Sequence, residues 1–387
     1  MLRETMNRRT FLASAGVMPV AIRALHAQSS DTESDFVSLF DGKTLNGWSV
    51  QEGPPSAFRV ADGAILVDEG ANFPTWLRSD RQYENFDFRG EFFLKGWMNS
   101  GIYLHAPEHG RNTWVGMKIN IFHQVDRETK PESVGSIFPL IPPLAINVKN
   151  KGEWNTFRAL MDWPRLQVWM NDTLIQDLDV ESVPELRHRL KRGYLGLESL
   201  SYPIRFRNLR IRELPAKEKW DVLYGGPEDF AKWQIASGKP SFEPRGEILR
   251  GDGDSQLATR GTYRDFVLHL YIRGVQYHNG GIMFRSLPGK QGRRGESYEI
   301  QLHDVEGAHY ATGSLYSFKR ATYPRIEPGK WFLLQLAVRE RTCLVRINGE
   351  NVLEYDGLQN LEPGRIELQA HDPGRWLEYK EIKIRPL

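Results

Sequence analysis

Met117-Lys118-Ile119-Asn120-Ile121-Phe122-His123 and Tyr298-Glu299-Ile300-Gln301-Leu302-His303-Asp304 read as one strand written twice. Aliphatic residues fall at every second position in each, the period of a strand with one dry and one wet face. Outward from this pair the two copies keep the same order. Asn99-Ser100-Gly101-Ile102-Tyr103-Leu104-His105 and Asn279-Gly280-Gly281-Ile282-Met283-Phe284-Arg285 precede it, and Gly135-Ser136-Ile137-Phe138 and Gly313-Ser314-Leu315-Tyr316 follow. Glu153-Trp154-Asn155-Thr156 and Lys330-Trp331-Phe332-Leu333 then open hairpins that turn at Asn171-Asp172 and at Asn348-Gly349, the latter a strong hairpin signal. Gly193-Tyr194-Leu195-Gly196-Leu197-Glu198 matches Gly364-Arg365-Ile366-Glu367-Leu368-Gln369 before closing strands over 204–213 and 376–385. Short alternating strands between Gly, Pro and Asn turns predict an all-β chain, a sandwich of two antiparallel sheets in each copy.

Composition agrees with that reading. The 387 residues include 19 Phe, 14 Tyr, 11 Trp, 35 Gly and 22 Pro, and no stretch sustains helical periodicity between strands. The expected layout is a signal over 1–27, a flexible entry over 28–35, sandwiches over 36–214 and 220–387, and a linker over 215–219. Two sandwiches fit the length better than one core would. Asn7-Arg8-Arg9-Thr10-Phe11-Leu12 has the paired arginines of a twin-arginine export signal, with cleavage expected near Ala27 and a periplasmic or extracellular destination. The apolar run behind it is broken by Gly16, Pro19 and Arg23, too short for the roughly 20 residues of a spanning helix. A formal charge of +2 without long basic runs argues against a nucleic-acid partner. Cys343 is the single cysteine, which excludes an internal disulfide and any Cys-based structural zinc site.

Leu39-Phe40-Asp41-Gly42-Lys43-Thr44-Leu45-Asn46-Gly47-Trp48 resembles the opening signature of the 3-keto-disaccharide hydrolase family. Phe58-Arg59-Val60 with Asp62-Gly63, Asn99-Ser100-Gly101-Ile102, Glu153-Trp154-Asn155-Thr156 and Phe206-Arg207-Asn208-Leu209-Arg210-Ile211 extend the resemblance over 36–214. The second half is similar through Tyr298-Glu299-Ile300-Gln301 and Gly313-Ser314-Leu315-Tyr316, with a degenerate opening at Val222-Leu223-Tyr224-Gly225-Gly226. The resemblance implies two tandem concanavalin A-like jelly rolls and action on glycosides already oxidised at C3. A non-catalytic carbohydrate-binding protein of the same fold is the alternative.

Strand parity sorts the candidates for chemistry. Glu299, Gln301 and His303 share one face, Glu367, Gln369 and His371 another, and Arg285 is expected to follow Gly281 and Met283. Glu299, His303 and His371 are the catalytic candidates, while Arg285, Gln301, Tyr316 and Gln369 are expected to bind substrate. In the first copy His105, Lys118, Asn120 and Glu198 take the matching places, with fewer acid–base groups. A 3-keto group acidifies the C2 proton, so a base that removes it and an acid that protonates the oxygen leaving C1 suffice, with Arg285 polarising the ketone. Glu299 with Glu367 is the conventional carboxylate-pair alternative. No cofactor is assigned. A divalent metal on His303, Asp304, His371 or Asp372 is left open, because no ligand spacing is diagnostic. Trp97, Trp114 and Trp376 are candidate sugar-stacking platforms, and Lys191-Arg192 and Arg293-Arg294 are expected in solvated loops.

Overall fold

Alternation in the sequence becomes two pairs of sheets in the computed structural model, which describes residues 33–287, 296–305, 307–322, 324 and 326–387. The arginine pairs Arg8-Arg9 and Arg293-Arg294 lie outside the described residues. Among these residues no helix is long and apolar enough to cross a membrane.

Each half pairs an eight-stranded antiparallel sheet with a five-stranded one. The five-stranded sheet of the first half runs in the spatial order Trp48–Gln51, Trp76–Tyr83, Gly193–Glu198, Asn99–Ala106, Met117–Phe122. Its counterpart runs Trp233–Gly238, Ser255–Thr259, Arg365–Ala370, Asn279–Ser286, Tyr298–His303. The strand order is the same, so the doubled sequence folds as two jelly rolls.

The dry faces make two separate cores. Ile102, Leu104, Ile119, Ile121, Leu195 and Leu197 enter the first with Phe86, Phe88 and Phe206. Ile282, Ile300, Leu302, Ile366 and Leu368 enter the second with Phe266 and Phe284. A residue such as Ile300, with no exposed surface, is held there by the apolar area it removes from water.

A smaller apolar cluster joins the halves, with Val115 and Leu190 from the first against Tyr271, Leu333 and Trp331 of the second. Polar contacts frame it. Lys380 Nζ meets Glu108 Oε1 and His109 Nε2 at 2.8 Å each, the Glu108 amide donates to the Tyr271 hydroxyl at 2.8 Å, and His109 stacks on Trp331. Residues 215–220 connect the strand Arg205–Leu214 to Asp221–Tyr224 and are pinned by Lys191, whose Nζ reaches Glu218 Oε1 at 2.6 Å and Glu181 Oε1 at 2.7 Å. Lys191 is therefore an ion-pair anchor rather than a solvated loop residue.

Truncating the second core tests this packing. Ile300→Ala is expected to lower unfolding free energy by about 2–5 kcal/mol, measured by urea denaturation; a change within about 0.5 kcal/mol, the range of neutral surface substitutions, would place Ile300 outside the core.

Candidate active site

The outward faces of the two five-stranded sheets carry the polar residues that alternation assigns to them. In the second sandwich Glu299 and Glu367 both pair across Met283, and Gln301 and Gln369 both pair across Gly281, while His303 pairs with Asn279. Cross-strand partners share a face, so six polar side chains share this one, and His371 follows at the end of its strand.

Glu299 is held by its floor. A Cβ placed on Gly281 would lie 2.2 Å from Glu299 Oε1, so the carboxylate leans over a position where only hydrogen leaves room. No hydrogen-bond or ion-pair partner for this carboxylate occurs among the described residues. Burial pushes its pKa up to about 7, and the neighbouring His371 pulls weakly the other way. A carboxyl group so placed exchanges its proton near neutrality. His303 is half-buried, and desolvation lowers its pKa while the charge of Asp304 raises it. His371 is exposed and sits 3.4 Å from Asp372.

The matching strand of the first sandwich solves the same burial with an ion pair. Lys118 leans over Gly101, where a Cβ would lie 2.6 Å from its side chain. Its Nζ reaches Glu198 Oε2 at 2.7 Å and lies 4.4 Å from the centre of the Phe138 ring. The Tyr103 hydroxyl donates to Glu198 Oε1 at 2.7 Å, and Trp76 packs edge-on against Tyr103. Both charged side chains are about 95% buried, 5% and 4% exposed. This face has its proton acceptor already engaged.

Two expected site residues lie elsewhere. Arg285 and His105 were placed on the polar faces by parity, but each sits at a β-bulge, with φ of +49° and +53°. A bulge inserts one residue and turns its side chain to the opposite face. Arg285 accordingly enters the interior, donating to Asp265 Oδ1 at 3.0 Å and to the carbonyls of Arg264 and Asn360 at 2.9 Å each. His105 donates from Nε2 to the Glu84 carbonyl at 2.7 Å, edge-on to Phe86, and burial lowers its pKa to about 4. Neither reaches a groove.

Others are on the predicted face but engaged. Gln301 donates to Asn279 Oδ1 at 3.0 Å, Asn120 donates to the Glu132 carbonyl at 2.7 Å, and Glu367 is fully buried. Gln369 is half-buried and Tyr316 is 48% exposed, with its amide bonded to the Glu299 carbonyl as the Phe138 amide is to that of Lys118. Asp304 turns away from the face toward His278, 3.5 Å off. Among the described residues no three His, Cys, Asp or Glu side chains converge to hold a metal ion. Of the aromatic platforms, Trp97 is widely exposed, whereas Arg111 and Arg189 lie over Trp114 and Arg250 over Trp376. Parity missed Tyr103 and Trp76, whose signal was present: an aromatic at an outward position of a central strand.

Two jelly rolls, each with a polar outer face on its smaller sheet, define a tandem antiparallel β-sandwich protein. The profile of the 3-keto-alpha-glucoside-1,2-lyase-like domain matches residues 35–212 and again 219–385, and the chain belongs to that family. A 3-keto-disaccharide hydrolase of Bacteroides thetaiotaomicron is 22% identical over 227 residues, covering 46% of this chain and 78% of that protein. A solved protein of Parabacteroides distasonis, described as a candidate glycosyl hydrolase, is 19% identical with a TM-score of 0.42, covering 48% of this chain and 98% of that one. A Bacillus licheniformis β-glucanase is 8% identical with a TM-score of 0.34, covering 45% and 100%.

Two predictions follow the contrast between the faces. Because the folded-state pKa of Glu299 is raised, its contribution to stability is complete below about 4.5 and is lost as pH rises through about 7. Glu299→Gln is therefore expected to gain stability over wild type across that window, by at most about 3 kcal/mol, read from urea midpoints at several pH values; a constant difference would mean an unshifted carboxylate. Lys118→Met strands the Glu198 carboxylate and is expected to cost about 3–5 kcal/mol, with partial recovery in Lys118→Met/Glu198→Gln by the same assay.

Proposed function

We propose that this chain is a carbohydrate-active enzyme that cleaves 3-keto-glycosides at the polar face of the second sandwich, with Glu299 as its principal proton-transfer group. The observation that carries this reading is the Glu299 carboxylate over Gly281, without a partner among the described residues and with its pKa raised to about 7 by burial. Family membership and the 3-keto-disaccharide hydrolase relative support the substrate class.

In this reading Glu299 takes the C2 proton made acidic by the neighbouring ketone, and the C1–O bond breaks. The leaving oxygen takes a proton from His303 or His371, giving an unsaturated ketone to which water adds across the new double bond. The ketone oxygen needs a donor, and with Arg285 withdrawn into the interior, Gln369 and Tyr316 are the side chains left to provide it. The first sandwich, whose Glu198 is closed off by Lys118 and Tyr103, binds or scaffolds in this scheme. The Asn7–Leu12 signature supports export by the twin-arginine route, and residues 36–214 and 220–387 are read as separate domains joined at 215–219.

Incubation with 3-keto-trehalose, following release of 3-keto-glucose, tests the reading. Glu299→Gln is expected to lose about 10²–10⁴-fold in turnover, the usual worth of a general base, with circular dichroism unchanged. Wild-type binding of the substrate without release would instead favour a carbohydrate-binding protein, and full turnover in Glu299→Gln would move catalysis off this face.

A further inference from the structure

Where the two sandwiches meet, a cleft of about 910 Å³ is lined by the segment 181–191, Trp220 and the outer face of the second eight-stranded sheet. That volume is at the upper end of ligand pockets, about 300–1,000 Å³. Seven lysines and arginines line it against three carboxylates.

How those cations are held matters more than their number. Arg189 and Arg346 are 3% and 4% exposed, and neither meets a carboxylate among the described residues. Arg189 donates to the carbonyls of Glu185 and Thr113 at 3.1 and 2.9 Å. Arg346 donates to Asn351 Oδ1 at 2.9 Å, Gln335 Oε1 at 3.2 Å, the Gly349 carbonyl at 2.6 Å and the His188 carbonyl. Carbonyl and amide oxygens satisfy the donors but leave the charge in place, and a buried charge without a counter-ion is costly. Arg187, Lys319 and Arg339 at the rim are exposed and likewise have no ion pair among the described residues. The excess charge is felt locally, since burial and then Arg346, Arg187 and Lys191 lower the His188 pKa to about 4.

The remaining lining is not that of a simple anion trap. Tyr355 presents aromatic surface, the Trp220 ring being packed by His269 and lying under Lys383 and Arg385, and Glu354 and Asp356 present carboxylates. A phosphate cradle needs donors alone, and a nucleic-acid track would set those carboxylates against phosphodiesters. Sugar hydroxyls need acceptors, sugar faces stack on aromatic rings, and acidic groups pair with guanidinium. We propose that this inter-sandwich cleft is a second binding site, for an anionic oligosaccharide bearing carboxylate groups, contacted by the rim cations Arg187, Lys319 and Arg339 with Tyr355 as the aromatic wall, and favoured by the buried charge of Arg189 and Arg346 beneath. The site is independent of the chemistry assigned to Glu299.

The test is calorimetric titration of the full chain with trigalacturonate, maltotriose, inorganic phosphate and a short single-stranded deoxythymidine oligomer. Trigalacturonate is expected to bind at least 10-fold more tightly than the other three, and to weaken as NaCl rises from 0.05 to 0.5 M. Arg187→Gln/Lys319→Gln, both at exposed positions, is expected to weaken it a further 10-fold while turnover of 3-keto-trehalose is unchanged; Arg339→Gln provides a second variant should that pair fold poorly. Equal binding of trigalacturonate and maltotriose, equal binding of phosphate or the oligomer, or undiminished binding in the rim variants would overturn the proposal.

Discussion

Burying a carboxylate costs several kcal/mol unless a cation or donors meet it, and the two sandwiches answer that constraint differently on the same strand pair. In the first, Lys118 lies over Gly101 and reaches Glu198 under the Tyr103 hydroxyl. In the second, Glu299 stands where Lys118 stands, Gln369 where Glu198 stands, and Met283 where Tyr103 stands. The glycine floor is retained and the counter-charge is not. These three exchanges therefore separate a closed ion pair, which rigidifies its face, from a carboxyl group that titrates near neutrality. The polar faces are otherwise built alike, down to the amide of Phe138 or Tyr316 donating to the carbonyl beneath it.

The joint between the sandwiches rests on different physics. It is a small apolar cluster ringed by charge, with Lys380 between Glu108 and His109 and Lys191 between Glu181 and Glu218. Such a seam leaves open space beside the segment 181–191, and the two most buried cations that line this space, Arg189 and Arg346, are held by carbonyl and amide oxygens. The molecule thus offers two kinds of surface: sheet faces whose charges are few and placed singly, and a cleft whose charge is collective.

Much of this was written in the sequence. Period-2 alternation, the doubled order of segments and the glycine, proline and asparagine turns determined the all-β class, the two copies and the face on which Glu299, Gln301, His303, Glu367 and Gln369 lie, because a strand's side chains alternate whatever surrounds it. Only the tertiary structure decided the rest. It turned Arg285 and His105 inward at bulges, which parity counting cannot foresee although Gly193 and Gly364, where a Cβ would lie 2.5 and 2.2 Å from the bulged backbone, mark them. It closed Gln301 and Asn120 into hydrogen bonds, covered Glu367, and left the Glu299 carboxylate without a partner among the described residues. It also brought residues 150 or more positions apart, such as His188 and Arg346, into one cleft. Local periodicity sets which way a side chain points, but burial and pairing depend on what the rest of the chain places opposite it, and those are the quantities that give a carboxylate or a guanidinium its chemistry.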